Sequence, residues 1–128
     1  MEGNPTTTND VRVLVVDDED PVRRGIQRVL LTQGFLVTEA RGAVEALELF
    51  APGRFDLVLT DCEMPGMTGA ELIQRISAQA PEQRIGLVSA HVDRCLEVMD
   101  KVDFHLHKPF QVNELIREVR RVLGLDGA

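Results

Sequence analysis

Val13-Leu14-Val15-Val16-Asp17-Asp18 decides the fold: four consecutive aliphatics run straight into two carboxylates. A strand exposed on one face alternates apolar and polar residues. An unbroken aliphatic run bounded by polar residues instead fits a parallel strand covered on both faces. Three further stretches share the design: Leu57-Val58-Leu59-Thr60-Asp61, Leu87-Val88-Ser89-Ala90 and Phe104-His105-Leu106-His107-Lys108-Pro109. As parallel strands they bring three carboxylates, a hydroxyl and an ammonium to one edge of one sheet. Open parallel sheets bind ligands outside the carboxyl ends of their strands, where the strand order reverses.

Strand-like and helix-like segments alternate five times, with strands expected at 11–17, 36–40, 56–60, 84–89 and 104–107. Helical spacing appears in Val22, Ile26, Val29 and Leu30, with Arg23, Arg24, Gln27 and Arg28 mainly outside the stripe. It recurs in Leu72, Ile73, Ile76 and Ala80, and in Val112, Leu115, Ile116, Val119 and Leu123. The second helix (Ala43, Val44, Leu47, Phe50) and the fourth (Val92, Cys95, Leu96, Met99) carry weaker patterns. Asp20-Pro21 reads as an N-cap followed by proline at the first helical position. Thr68 and Glu71 have capping-box spacing, and Gly34 and Gly124 stand where helices should stop. The expected class is α/β, a doubly wound five-stranded parallel sheet with five helices. Residues 1–10 are expected to be a disordered polar lead-in, 11–124 one domain and 125–128 an end.

At 128 residues the chain suits a single domain, burying roughly two-thirds of its unfolded surface. A net charge of -7 argues against nucleic-acid or anionic-membrane binding, which need a positive field. No apolar stretch approaches the roughly 18 residues of a membrane span, and the first ten residues lack the features of a signal peptide. Cys62 and Cys95 lie 33 positions apart with no His or Cys at ligand spacing, and read as reduced thiols of a cytoplasmic protein.

Asp17, Asp18 and Asp61 together carry three negative charges, of which Lys108 returns one. Converging carboxylates raise one another's pKa or recruit a cation. A hard divalent ion such as Mg²⁺, bound by one or two carboxylates, a carbonyl and waters, brings the formal sum to zero. Asp61 follows the central strand and precedes the turn from Met64 to Gly69. It is the candidate nucleophile, since an Asp attacking phosphorus gives an acyl phosphate. Lys108 and the metal would supply neutralisation and Ser89 a hydroxyl donor, as in phosphoryl transfer generally.

Asp17-Asp18, Asp61 followed by Met64-Pro65-Gly66 and Gly69, Ser89-Ala90 and Lys108-Pro109-Phe110 together resemble the receiver domain of bacterial response regulators, over about residues 11–123. The resemblance implies a flavodoxin-like fold of strand order 2-1-3-4-5. It implies a two-component phosphoprotein, cytoplasmic, in which Asp61 takes a phosphoryl group from a histidine kinase or phosphotransfer protein. Asp18 and Asp61 would ligate Mg²⁺ with the backbone carbonyl of Glu63, and Asp17 would hold a metal-bound water. Lys108 would pair with Asp61 or its phosphate, Ser89 would bind a phosphate oxygen, and Lys108-Pro109 would be cis. The chain would catalyse only its own phosphorylation and dephosphorylation. It would signal through its fourth helix, fifth strand and fifth helix to an effector protein or an output domain, with room for a phosphorylation-dependent homodimer. Two positions depart from the common pattern: Ser89 stands where Thr is frequent, and His105 where the rotating aromatic of the switch usually stands. Glu63 and His91 flank the acceptor and are expected to set the lifetime of the phosphorylated state. The competing readings are a Mg²⁺-dependent phosphatase with an aspartyl nucleophile and a phosphate-independent interaction module. Against the phosphatase stand the ending of the first strand in Asp17-Asp18-Glu19-Asp20, where such folds usually place an Asp-x-Asp signature directly after the strand, and the lack of a cap insertion; against the module stands the intact acidic and Lys108 set.

Overall fold

The computed structural model describes residues 10–125. Apart from Asp10, the lead-in lies outside them, as does the C-terminal end apart from Leu125. The strands are β1 (Arg12–Val16), β2 (Leu36–Ala40), β3 (Leu57–Thr60), β4 (Ile85–Ser89) and β5 (Phe104–His107). Between and after them come α1 (Asp20–Thr32), α2 (Ala43–Leu49), α3 (Gly69–Gln79), a 3-10 segment (Val92–Lys101) and α4 (Val112–Val122). The sheet is parallel throughout, in the order β2-β1-β3-β4-β5. Val16 registers with both Ala40 and Thr60, Thr60 with Leu87, and Ser89 with His107. All five strands therefore end along one edge.

The aliphatic runs divide by strand periodicity. Leu14, Val16, Val58, Ile85 and Leu87 face one core layer, with Ala46, Leu72, Ile73 and Ile76 of α2 and α3. Val13, Val15, Leu57, Leu59 and Val88 face the other, with Ile26, Leu30, Leu115 and Val119 of α1 and α4. β3 and β4 are buried along their whole length, whereas the edge strands β2 and β5 are only partly covered. Each fully covered Leu, Ile or Val contributes roughly 1.5–3 kcal/mol, so the three inner strands are the framework of the site.

The helix signals hold with two changes. The Thr68–Glu71 capping box forms, with Glu71 N–H donating to Thr68 Oγ1 at 3.1 Å. Gly34 (φ 85°) and Gly124 (φ 71°) follow the ends of α1 and α4. In α1, Glu19 is the N-cap and Asp20 already the first helical residue. Asp20 is thus placed to take an ion pair from Arg23 at 2.7 Å. Arg23, expected outside the apolar stripe, is 2% exposed. Its guanidinium donates to Glu39 at 2.9 Å and to the Asp17 carbonyl at 3.0 Å as well, so the buried charge is fully partnered.

The fourth helix is not α-helical. It is a 3-10 segment in which Cys95 leaves the helical region (φ -121°, ψ 21°). Side chains eclipse every three residues in a 3-10 helix. Val92, Cys95 and Val98 are accordingly the buried set, while Leu96, expected on the apolar face, is 66% exposed.

Candidate functional site

The site lies beyond the ends of β1, β3, β4 and β5, and backbone bonds across the sheet hold its residues in place. Asp17 N–H donates to Ala40 O at 3.2 Å, Asp61 N–H to Val16 O at 3.1 Å, and Lys108 N–H to Ser89 O at 3.0 Å. These bonds bring together groups 91 and 47 positions apart: Lys108 Nζ donates to Asp17 Oδ2 at 2.8 Å and to Asp61 Oδ2 at 3.0 Å. Asp17 and Asp61 are both buried. Their other oxygens are held by the backbone, Asp17 Oδ1 by Glu19 N–H at 2.9 Å, Asp61 Oδ1 by Cys62 N–H at 2.6 Å and Glu63 N–H at 3.3 Å. The Lys108–Pro109 peptide is cis.

Burial raises the Asp17 carboxyl above its ordinary range, and the charge of Asp61 adds to this; Lys108 and the Glu19 amide oppose the shift without cancelling it. Burial works to lower the Lys108 ammonium, but hydrogen bonds from its Nζ to Asp17 and Asp61 outweigh it and leave the pKa raised. One cation thus serves two carboxylates, and the pocket stays short of positive charge.

Carboxylate oxygens of Asp17, Glu19 and Asp61 lie within 4.8 Å of one another. They are hard oxygen donors of the kind Mg²⁺ takes together with waters. Sequence reasoning did not single out Glu19. Its signal was its place two residues beyond Asp17, since the turn into α1 folds it back over the pocket. Asp18 is exposed and stands outside this cluster, but with Glu19, Asp61, Glu63, Ala90, His91 and Lys108 it lines the open cleft of ≈ 300 Å³ above Asp61.

Ser89 is fully buried, and its hydroxyl accepts the His91 N–H at 3.0 Å. His105 is exposed on β5, between buried Phe104 and Leu106. Glu63 pairs with Arg94 of the 3-10 segment and lies 3.5 Å from His91 Nε2. Arg94 carried no sequence signal, since only the chain's return past β4 brings it to the loop that follows Asp61. Gly69 packs against the turn that follows Asp61, with its N–H on the Cys62 carbonyl at 2.8 Å.

The reading of Cys62 and Cys95 as reduced thiols is corrected. They form a disulfide, with Cα atoms 5.9 Å apart and an S–S distance of 2.20 Å. Nothing local announces a partner 33 residues away. The pairing arises because β4 returns the chain beside the end of β3 and delivers the 3-10 segment over the loop that follows Asp61.

Comparison with known proteins agrees with this geometry. Residues 13–120 match the family model of the response regulator receiver domain. The chain is 34% identical over 116 residues to the response regulator MprA of Mycobacterium sp. (strain KMS), covering 88% of this chain and 50% of that protein. It is 37% identical over 117 residues to the sensor kinase CckA of Brucella abortus (strain 2308), covering 87% of this chain and 12% of the kinase. The chain therefore spans half or less of these curated relatives. Among solved structures, the response regulator TrrA of Thermotoga maritima, crystallised with Mg²⁺-BeF, superposes with a TM-score of 0.80 at 33% identity, covering 88% of this chain and 98% of that one. Among the described residues no helix is long and apolar enough to cross a membrane. With Asp17, Asp61 and Lys108 joined at the strand edge and the match running through nearly all of the domain, the chain belongs to the response regulator receiver domain family of two-component signalling.

Proposed function

We propose that Asp61 is the phosphoacceptor, taking a phosphoryl group from a phosphohistidine of a histidine kinase or phosphotransfer protein. The observation that carries this reading is the shared Lys108 ammonium, 3.0 Å from Asp61 and 2.8 Å from Asp17, at the floor of an open cleft. An Asp61 oxygen attacks phosphorus, the P–N bond breaks, and the donor imidazole leaves with its electron pair. The Cys62 and Glu63 amides hold the carboxylate in orientation through Oδ1, and Lys108 offsets charge as the acyl phosphate forms. Mg²⁺, held by Asp61, Asp17, Asp18 and the Glu63 carbonyl with Glu19 added by its place in the cluster, would neutralise the incoming phosphoryl oxygens. Ser89 would release the His91 amide to donate to a phosphoryl oxygen, and His105 would report the change on the β5 face. Glu63 and His91, at the cleft mouth, would govern water access and hence phosphate lifetime.

The output would run through the 3-10 segment, β5 and α4 to an effector or an output domain, or to a second copy of the chain. Exposed Leu96 and Val112 on those helical elements are available for such contacts. Incubation with Mg²⁺ and a small acyl-phosphate donor, followed by intact mass, tests the reading. The wild-type chain should gain one phosphoryl mass and Asp61→Asn none. Labelling that persists in Asp61→Asn overturns the assignment.

A further inference from the structure

Two clasps join the acceptor loop to the 3-10 segment. The inner one is the Cys62–Cys95 disulfide; the outer one is the Glu63 pairing with Arg94 and His91. The inner clasp begins one peptide from the proposed acceptor, because the Cys62 amide donates to Asp61 Oδ1. It ends at Cys95, where the 3-10 segment leaves helical geometry. Its 3-10 hydrogen bonds have poorer geometry than those of an α-helix, and the break at Cys95 interrupts them further. The segment's N-cap is His91, whose amide is held by the Ser89 hydroxyl. A turn of Ser89 Oγ out of that bond would free the first amide of the segment.

We propose that Cys62 and Cys95 form a reversible dithiol–disulfide couple that clamps the 3-10 segment when oxidised and frees it when reduced, so that thiol redox state controls how readily the domain is phosphorylated. The clamping itself stands on the geometry alone, and its effect on phosphorylation rests on the acceptor reading above. Where thiols are kept reduced, disulfides are chiefly transient or redox-sensing. The reduced pair leaves no gap in the core, since both positions are buried among Val92, Val98 and Met64 and a free Cys packs as a small hydrophobe. Oxidation proceeds by exchange with a low-molecular-weight disulfide, RS–SR. Cys62 or Cys95 attacks as thiolate to give a mixed disulfide and one RSH. The second cysteine then displaces the other RS group, forming the Sγ–Sγ bond. Two electrons pass from the cysteines to RS–SR, and their two protons end on the two RSH molecules. Both sulfurs are buried in the closed form, so each step waits on the segment opening.

The test uses the 128-residue chain equilibrated in glutathione buffers from fully reduced to fully oxidised. Alkylation after denaturation should count two thiols at the reduced end and none at the oxidised end. Amide exchange in Val92–Lys101 should be at least ten-fold slower in the oxidised chain, with the inner strands nearly unchanged. Labelling by an acyl-phosphate donor with Mg²⁺ should be several-fold slower when oxidised. Cys95→Ala, kept in a non-thiol reductant so that Cys62 carries no mixed disulfide, should exchange and label at the rate of the reduced wild-type chain. Two thiols at the oxidised end, or identical exchange in the segment, overturns the proposal. A uniform slowing across all strands also overturns it, because that marks a structural cross-link only. Equal labelling rates in both forms refute the control of phosphorylation. Absence of labelling in both forms overturns the acceptor reading instead, while the thiol count and amide exchange still decide the clamp.

Discussion

A Cβ placed on Gly69 would lie 2.0 Å from the Asp61 carbonyl oxygen and 2.9 Å from Cys62 Cα. Both neighbours are backbone, so neither can rotate away, and the first turn of α3 is seated directly on Asp61. Gly69→Ala should therefore move the Asp61–Cys62 backbone or the helix. Overpacking of this kind costs about 1–3 kcal/mol, and more where backbone must shift. We expect a lower urea midpoint together with a labelling rate reduced at least ten-fold. A variant with wild-type midpoint and labelling would show that the close approach constrains nothing.

Lys108→Met removes the one cation shared by two buried carboxylates. Labelling should fall by about 10²-fold, the usual consequence of losing one electrostatic partner of a reacting centre. Divalent-ion affinity should rise, because the ammonium no longer competes for Asp17 and Asp61. The chain has no Trp or Tyr, so calorimetric titration with Mg²⁺ is the suitable measurement.

The raised pKa of Asp17 has a definite sign in stability. Between its ordinary 3.8 and its folded value, the native state binds more protons than the unfolded chain, so stability falls as pH rises through that interval. Lys108, also raised, contributes stability that is complete below 10.5 and lost as pH climbs through its folded pKa. Urea midpoints measured with chelator across the acid range should therefore decline less for Asp17→Asn than for wild type. Above 10.5 the wild-type chain should lose stability as Lys108 gives up its proton. Parallel curves on the acid side would remove the assigned role of burial.

Arg23 joins α1 to β2 and to the turn bearing Asp17. Removing it strands Glu39 and the Asp17 carbonyl beside a buried void, and losing one partner of a buried pair costs about 3–5 kcal/mol. Glu39 is 30% exposed at its side chain, so Arg23→Met should fall toward the lower end of that range. Arg23→Lys should rescue little, since one ammonium cannot reach Glu39, Asp20 and the carbonyl in the fork geometry of a guanidinium. Thermal melts of the three proteins decide this.

What the sequence by itself determined is everything written in local periodicity. The aliphatic runs ending at Asp17, Asp61 and Ser89 marked strands covered on both faces. The stripes of α1, α3 and α4 marked the faces they bury, and Thr68–Glu71 marked a helix start. The motifs at Asp17, Asp61, Ser89 and Lys108 were legible because each sits where such a run stops. The tertiary structure alone decided which distant groups touch. It buried Arg23, brought Glu19 rather than Asp18 into the carboxylate cluster, seated Gly69 on Asp61 and Arg94 on Glu63, and joined Cys62 to Cys95. The physical reason is that solvent exposure selects the face of each element one turn at a time, so it leaves a periodic trace. A contact across 33 or 91 positions depends on how whole elements stack, and no short stretch of chain carries a record of that.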